Sequence, residues 1–384
     1  MPKSYEDELQ LLIDKVEGTD DRSWEEMVDE LGLSIHPDSL RKSFSAGRYG
    51  GYAVSKYFQD KFENEYCTQE EIDRLESLKR EIIKEKVKLS DTRREYKKHL
   101  TNEARYENLV DVLKEEIKEL DEIKFTANAI NNNTGVDGAL LISDLHYGNT
   151  SDNALNFYDV DVCKDRMQQL LDKTIYYCNT NRVQTLYINL LGDLVAGNIH
   201  TSVRCEQEED VISQIVNVSE LLANFISEVS KHVSKVKLIC VQGNHGRVTP
   251  NLKESLNQEN YERLIYEYIK LRLPDLTVIV NGFEDWATYT IGKRNVFVEH
   301  GDKTKLEQIK QKAINILGYV PDEIFCGHYH RMEMLNDNNT DVVVNGSVMG
   351  TDSYAMRHRL NTKPHQILRV YNGDDVCTYR LTLD

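Results

Sequence analysis

The sequence predicts an α/β domain behind an all-helical N-terminal region. Two observations carry this. Composition changes near residue 135, from charged, Glu/Lys-rich sequence to short apolar runs: "ALLIS", "TLYINLL", "KLICV" and "DVVV". Those runs alternate with stretches of helical periodicity, the pattern of strands interleaved with helices. Before the change, Thr68 to about Asp121 runs without a Gly or Pro, as a long helix requires.

The elements follow in order. In "SWEEMVDELGL", Ser23 is placed to cap a helix and Glu26 to reach back to it. Trp24, Val28 and Leu31 share one face of that helix. Gly32 breaks it, and "HPDSLRKSF" restarts a helix with Pro37 at an early position. Helix, glycine turn and a second helix bearing Arg41 and Lys42 form a helix-turn-helix pattern or a small helical packing module, over residues 1–66. Arg41, Lys42 and Arg48 are the candidate DNA contacts there. Residues 67–127 read as a long helix or helical hairpin. Ile72, Leu75, Ile82, Leu89, Tyr96 and Leu100 approximate a heptad seam, with Lys79, Lys86 and Arg93 at the alternate seam positions. A continuous helix of that length spans ~80 Å at 1.5 Å per residue. It forms either a dimerising coiled coil, giving a homo-oligomer, or a solvated helix folded back on the next domain. The polar stretch "NAINNNTGVDG" makes residues 128–138 a linker. Residues 139–384 are the α/β domain, closed by a hairpin around Asn372 and Gly373.

Bulk properties narrow the classes. With 384 residues and 40% hydrophobic composition, the chain can bury a sizeable core. A formal charge of −17 gives no global basic field for nucleic acid or an anionic membrane. Residues 1–135 carry 31 acidic and 22 basic side chains, so DNA binding there needs a local patch. Seven dispersed cysteines without a CxxC read as reduced thiols. "MPKSYEDELQ" has no apolar h-region, and no run approaches the length of a membrane span. The expected location is the cytoplasm, the host's for a phage-encoded chain, with no membrane partner.

Chemistry-bearing residues gather at the ends of the apolar runs. "LLISDLHYGN" places Asp144 and His146 after one run, and "LYINLLGDLVAGNIH" places Asp193 after another. "VKLICVQGNHGR" adds Asn244 and His245, "NVFVEHGD" adds His300, and "EIFCGHYHR" adds His328 and His330. Each stretch has an ordinary reading as a loop. Together they place five of the eleven histidines directly after apolar strands, beside Gly, Asp or Asn. Strand C-termini are where sites of open α/β sheets assemble.

In this order, D-x-H, GD, GNH, H-G and GHxH, the stretches resemble the calcineurin-like metallophosphoesterases, over Ala139 to Asp384. The resemblance implies a four-layer α-β-β-α sandwich and two divalent metal ions, with Mn first and Fe, Zn or Mg as alternatives. It assigns Asp144, His146, Asp193 and His330 to one ion, and Asp193, Asn244, His300 and His328 to the other. Asp193 is then the bridging carboxylate of a two-metal hydrolytic site, and His245 the acid that protonates the leaving oxygen. His328 and His330 go to different ions, while Tyr329 packs away from them and Cys326 stays a buried strand residue.

The sequence departs from two familiar patterns. Gly246 follows the GNH, where many members carry an acid that pairs with the histidine, so a partner for His245 has to come from elsewhere. Protein phosphatases of the family read GDxVDRG, but Ala196 and Gly197 stand where Asp and Arg would be. That argues against a protein phosphatase. Candidate substrate contacts are His200, Arg204, Arg247, Asn345 and Ser347, with Tyr354, Arg357 and Arg359 nearby in sequence. The leading reading is a DNA nuclease or exonuclease resembling the nuclease subunit of SbcCD-type repair enzymes and phage-encoded relatives, with DNA and an ATPase as partners. The alternatives are a small-molecule phosphodiesterase or phosphatase, and a catalytically silent scaffold.

Overall fold

The computed structural model describes residues 7, 11–12, 14–15, 19–44, 69–118, 120–121, 123, 135–199, 204–251, 259–279 and 285–384. The chain divides into two compact units, Met1–Lys98 and His99–Asp384. In the first unit, α1 (Trp24–Glu30) starts at a capping box. Ser23 Oγ accepts from Glu26 N at 3.2 Å, and the Glu26 carboxylate accepts from Ser23 N at 2.6 Å. Gly32, at φ +60°, turns the chain into α2 (Pro37–Phe44). Leu12, Met27, Val28 and Leu40 are buried between these elements, with Trp24, Leu31 and Leu33 packed around them.

Helix α3 (Gln69–Lys118) is continuous and crosses the boundary between the units. In its first-unit part, the seam residues Leu75, Ile82, Leu89 and Tyr96 are exposed. In its second-unit part, Val110 and Ile117 pack against the α/β core. The expected domain of residues 67–127 is therefore divided, because those apolar residues attach its end to the core.

The second unit holds a six-stranded sheet in the order β13-β12-β1-β4-β5-β6. Its strands are β1 (Val136–Ile142), β4 (Thr185–Leu190), β5 (Lys235–Cys240), β6 (Thr277–Ile279), β12 (His365–Asn372) and β13 (Asp375–Thr382). β1, β4, β5 and β6 run parallel, and β12 and β13 add antiparallel. A second sheet, in the order β10-β11-β9-β8-β7, comprises β7 (Trp286–Ile291), β8 (Arg294–Glu299), β9 (Glu323–Cys326), β10 (Glu333–Asp337) and β11 (Thr340–Val344). β8, β9 and β11 are parallel. β2 (Ser151–Asn153) and β3 (Asn156–Tyr158) form a small separate hairpin.

Alternation along the strands builds the layers. Leu141, Tyr187 and Ile239 of the first sheet meet Tyr289, Val298, Phe325 and Val343 of the second. Their neighbours Leu140, Ile188 and Leu238 face the opposite way, against α4 (Val160–Asn181), α5 (Val211–Ser230) and α6 (Glu262–Arg272). On the far side, Phe297, Ile324 and Val344 pack on Ile309 and Ala313 of α7 (Ile309–Leu317). Strands covered on both faces read as unbroken apolar runs, which is why the sequence displays them so plainly.

Two sequence expectations shift. β1 begins at Val136, so Val136, Asp137 and Gly138 belong to the sheet and not to the linker; residues 128–134 lie outside the described residues. Gly138 reads as a turn residue, yet a Cβ there would meet Leu186 Cδ1 at 3.0 Å, so the glycine serves close packing inside the strand. The closing hairpin has Gly373 and Asp374 as its two-residue loop, with Asn372 paired to Asp375. Among the described residues, no helix is long and apolar enough to cross a membrane.

Candidate metal centre

Every candidate ligand follows the C-terminal end of a strand that lies parallel to a neighbour: Asp144 and His146 after β1, Asp193 after β4, Asn244 after β5, His300 after β8, and His328 and His330 after β9. Five of these residues hold left-handed backbones, with φ of 55° at Asp144, 48° at His146, 53° at Asp193, 67° at His328 and 54° at His330. Such conformations cost about 1–3 kcal/mol each and persist where the surroundings over-determine them. The surroundings here are cross-linked loops. Asp144 N donates to Gly192 O, and His146 N donates to Asp193 O, both at 3.0 Å. His328 N donates to Asp144 Oδ2, also at 3.0 Å.

The motif glycines permit this crowding. A Cβ on Gly192 would lie 2.4 Å from Gly243 N, and one on Gly243 would lie 2.0 Å from Asp193 N. A side chain at Gly197, where φ is +65°, would meet His245 O at 1.9 Å. The arginine of the GDxVDRG pattern therefore has no room at position 197.

The side chains form two sets that share a boundary at Asp193. In the first, His330 Nε2 lies 3.2 Å from Asp144 Oδ1 and 3.2 Å from His146 Nε2. In the second, His300 Nε2 lies 3.1 Å from both Asp193 Oδ2 and Asn244 Oδ1. Ring atoms of His328 fall within 4.8 Å of the Asp193 and His300 ligand atoms, and Asp193 also groups with His146 and His245. The nitrogen and oxygen donors suit a transition-metal ion. Asp144 Oδ1 is fully buried with no aligned hydrogen-bond donor, as a carboxylate oxygen reserved for a cation would be. His300 Nδ1 donates to Leu191 O at 2.7 Å, which fixes the tautomer and aims Nε2 at the ligands.

Electrostatics pair the two sets internally. Burial is the largest influence on the Asp144 carboxyl and pushes it up, but the charge and hydrogen bond of His330, together with the His300 charge, hold Asp144 below the ordinary value. Burial likewise opposes ionisation of Asp193, and the charges of His300, His245 and His146 with the His300 hydrogen bond together hold it well below the ordinary value. Burial drags on His300 and His330, yet Asp193 raises the first well above its usual range and Asp144 raises the second. His146 falls well below it, through burial and then the His245 charge, and His328 falls through burial and then His300.

His245 lies against this cluster, its ring 4.5 Å from that of His146. The partner missing from its motif is a main-chain group: Nδ1 donates to Ala196 O at 2.9 Å. A carbonyl only accepts, so Nδ1 carries the proton and chemistry at this ring falls to Nε2. His245 N donates to Asp193 Oδ1 at 2.8 Å.

The remaining site candidates divide. Arg247 Nε donates to Asn244 O at 3.1 Å, which puts its guanidinium beside the ligands. Arg204 is exposed, and His200 lies outside the described residues. Asn345 and Ser347, expected at the substrate, are instead fully buried. Asn345 Nδ2 donates to Ser143 Oγ and Gln366 Oε1, and Ser347 Oγ donates to Asp144 O at 2.9 Å. They hold the strand end from behind. Arg41 and Lys42 are exposed on α2, Arg41 paired with Asp38 at 3.3 Å, and Arg48 lies outside the described residues.

Sequence reasoning missed Glu262. Its Oε1 accepts from Leu194 N at 2.5 Å and its Oε2 from Gly243 N at 2.6 Å, so one buried carboxyl ties the Asp193 loop to the Asn244 loop. Burial, and then the Asp193 charge, push it up to about 7. The available signal was a glutamate on the same helical face as Ile265, Tyr266 and Ile269.

A double-sheet sandwich that gathers carboxylates, imidazoles and a carboxamide at its strand ends defines the class of metal-dependent phosphoesterases. A family model described as calcineurin-like phosphoesterase matches residues 139–374, and the chain belongs to that family. It is 26% identical over 372 residues, 91% of this chain and 89% of the relative, to the SPbeta prophage-derived uncharacterized protein YonJ of Bacillus subtilis (strain 168). Among solved structures, it is similar to a novel archaeal phosphodiesterase, at TM-score 0.35 and 13% identity, covering 63% of this chain and 99% of that one. A Vps29 mutant from Entamoeba histolytica gives TM-score 0.32 and 16% identity, covering 64% and 99%.

Proposed function

We propose that this chain hydrolyses phosphodiester bonds in DNA with two divalent ions. One observation carries the hydrolytic part of this reading: the Asp144–His146–His330 set and the Asp193–His300–His328 set are joined by the grouping of His146, Asp193 and His245. Asp144, His146 and His330 would hold one ion and Asn244, His300 and His328 the other, with Asp193 common to both. Mn is the first choice, and Fe, Zn or Mg the alternatives. Ions bound there supply Lewis acidity for the phosphate and an acidified water. The chain's own groups do the rest. His245, oriented by Ala196 O, delivers a proton from Nε2 to the leaving oxygen. Arg247, beside Asn244, contacts a non-bridging phosphate oxygen.

Gly197 in place of an arginine disfavours a protein phosphatase, and a relative that matches 91% of the chain is prophage-derived. The test is purified protein with Mn²⁺, labelled linear DNA and bis(p-nitrophenyl) phosphate. Cleavage of both, abolished by EDTA, is the expected result. Hydrolysis of the ester with the DNA intact would overturn the nuclease reading in favour of a small phosphodiester substrate.

A further inference from the structure

We infer that α3 carries a DNA-docking face between Lys79 and Lys97. In a chain of formal charge −17, the segment Lys79–Lys98 holds nine basic against four acidic residues. The segment lies wholly within α3, so its charges sort by helical position. At 3.6 residues per turn, Lys79, Lys86, Arg93 and Lys97 fall on one side, with Arg94 flanking them, while Arg80, further round, pairs with Glu76 at 3.5 Å. These side chains are exposed. The acids Glu81, Glu85 and Asp91 fall on the other side, where Glu85 pairs with Lys88 at 2.6 Å. From Lys79 to Lys97 the basic stripe runs about 27 Å at 1.5 Å per residue.

The charge pattern selects the partner. The exposed apolar residues Leu75, Ile82, Leu89 and Tyr96 form a narrow band, with the cations along one border and Glu85 along the other. Helix pairing across that band would put Lys79, Lys86 and Arg93 at the alternate seam positions, where three cations oppose association in either orientation. An anionic membrane would repel the acidic border while attracting the basic one. A linear array of phosphates faces the basic side alone, and neutralising it releases counterions. The occupant is therefore a DNA duplex lying along the stripe. This rests on the proposal that the substrate is DNA.

The experiment uses the full chain in EDTA, so that DNA is bound and not cut. Fluorescence anisotropy with a labelled duplex is followed across salt for wild type and for K79E/K86E/R93E/K97E. Loss of affinity by about tenfold or more, with a salt slope shallower by about 3–4, is expected. A K79Q/K86Q/R93Q/K97Q variant, which keeps helix propensity, should lie between the two, and circular dichroism reports the fold of both. Hydrolysis of bis(p-nitrophenyl) phosphate with Mn²⁺ should be unchanged. Equal affinity and equal slope in wild type and both variants would overturn the docking face, as would preferential binding of the stripe to RNA or to phosphatidylglycerol vesicles. Weakened duplex binding by a protein that never cleaves DNA keeps the docking face and removes the nuclease reading.

Discussion

Asp144 and Asp193 occupy equivalent strand ends and are held unequally. Asp193 is braced from every side: His245 N on Oδ1, His300 on Oδ2, and a following loop fastened through Glu262 to the loop after β5. Asp144 is held by His328 N on Oδ2, by His330 Nε2 at 3.2 Å from Oδ1 and by Ser347 on its carbonyl. Their imidazole partners differ as well, since the His330 side chain is 23% exposed and that of His300 is 1% exposed. The site thus pairs a fully buried imidazole with Asp193 and a partly exposed one with Asp144.

The sharpest way to break this contrast is a pair of isosteric changes. Asp193→Asn removes the carboxylate that groups with His146 and His245 on one side and with His300 and His328 on the other. Activity on bis(p-nitrophenyl) phosphate should fall by about 10²–10³-fold or more, the scale of losing one preorganised electrostatic group. Asp144→Asn should cost less, and added metal should restore part of it. Equal losses that metal does not restore would show that the two halves are equivalent.

His245→Ala separates proton delivery from metal binding. A general acid contributes about 10²–10⁴-fold when the leaving group needs a proton. p-Nitrophenolate leaves without one, whereas a deoxyribose alkoxide does not. The loss should be large on DNA and small on the nitrophenyl ester, measured with the same preparation. A uniform loss would place His245 among the ligands.

Metal uptake tests the ion pairs. His300 and His330 are both held above the ordinary imidazole range, and both must release a proton to ligate. Apparent affinity should therefore rise with pH, by up to ~100-fold per unit where both protons are displaced. His330→Ala should lower that dependence toward ~10-fold per unit. Calorimetry in buffers of different ionisation enthalpy counts the protons directly.

The legible parts of this molecule are the buried ones. β1, β4, β5 and β9 are covered on both faces, so their apolar runs and the ligands at their ends stand out in the sequence. What escaped is main-chain or second-layer in character. Ala196 supports His245 through a carbonyl, which no residue identity encodes. Asn345 and Ser347 have the polarity of substrate contacts and the position of struts, which only their hydrogen bonds to Gln366 and to the Asp144 carbonyl reveal. Val110 and Ile117 bind the end of a charged helix to the core, where the heptad pattern had suggested one uniform element.

Glu262 gives the smallest predicted effect and the most direct view of the bracing. Glu262→Gln keeps the shape but sets an amide NH₂ against one of two backbone N–H donors, a penalty of about 1–3 kcal/mol. Its pH dependence has a definite sign. The folded carboxyl titrates at about 7, against 4.5 for the ordinary group, so across that window the folded chain keeps a proton that the unfolded chain has lost. The Glu262 contribution is fully present below pH 4.5 and declines as pH rises to about 7. Gln titrates nowhere in this range. In EDTA, the stability difference between wild type and Glu262→Gln should therefore shrink from pH 4.5 to 7, followed by urea denaturation. A constant difference would show that Glu262 is ionised throughout and braces the loops as a carboxylate. The Asp193 half would then carry one more buried negative charge facing its ligands, and its ion should bind more tightly than the contrast with Asp144 alone implies.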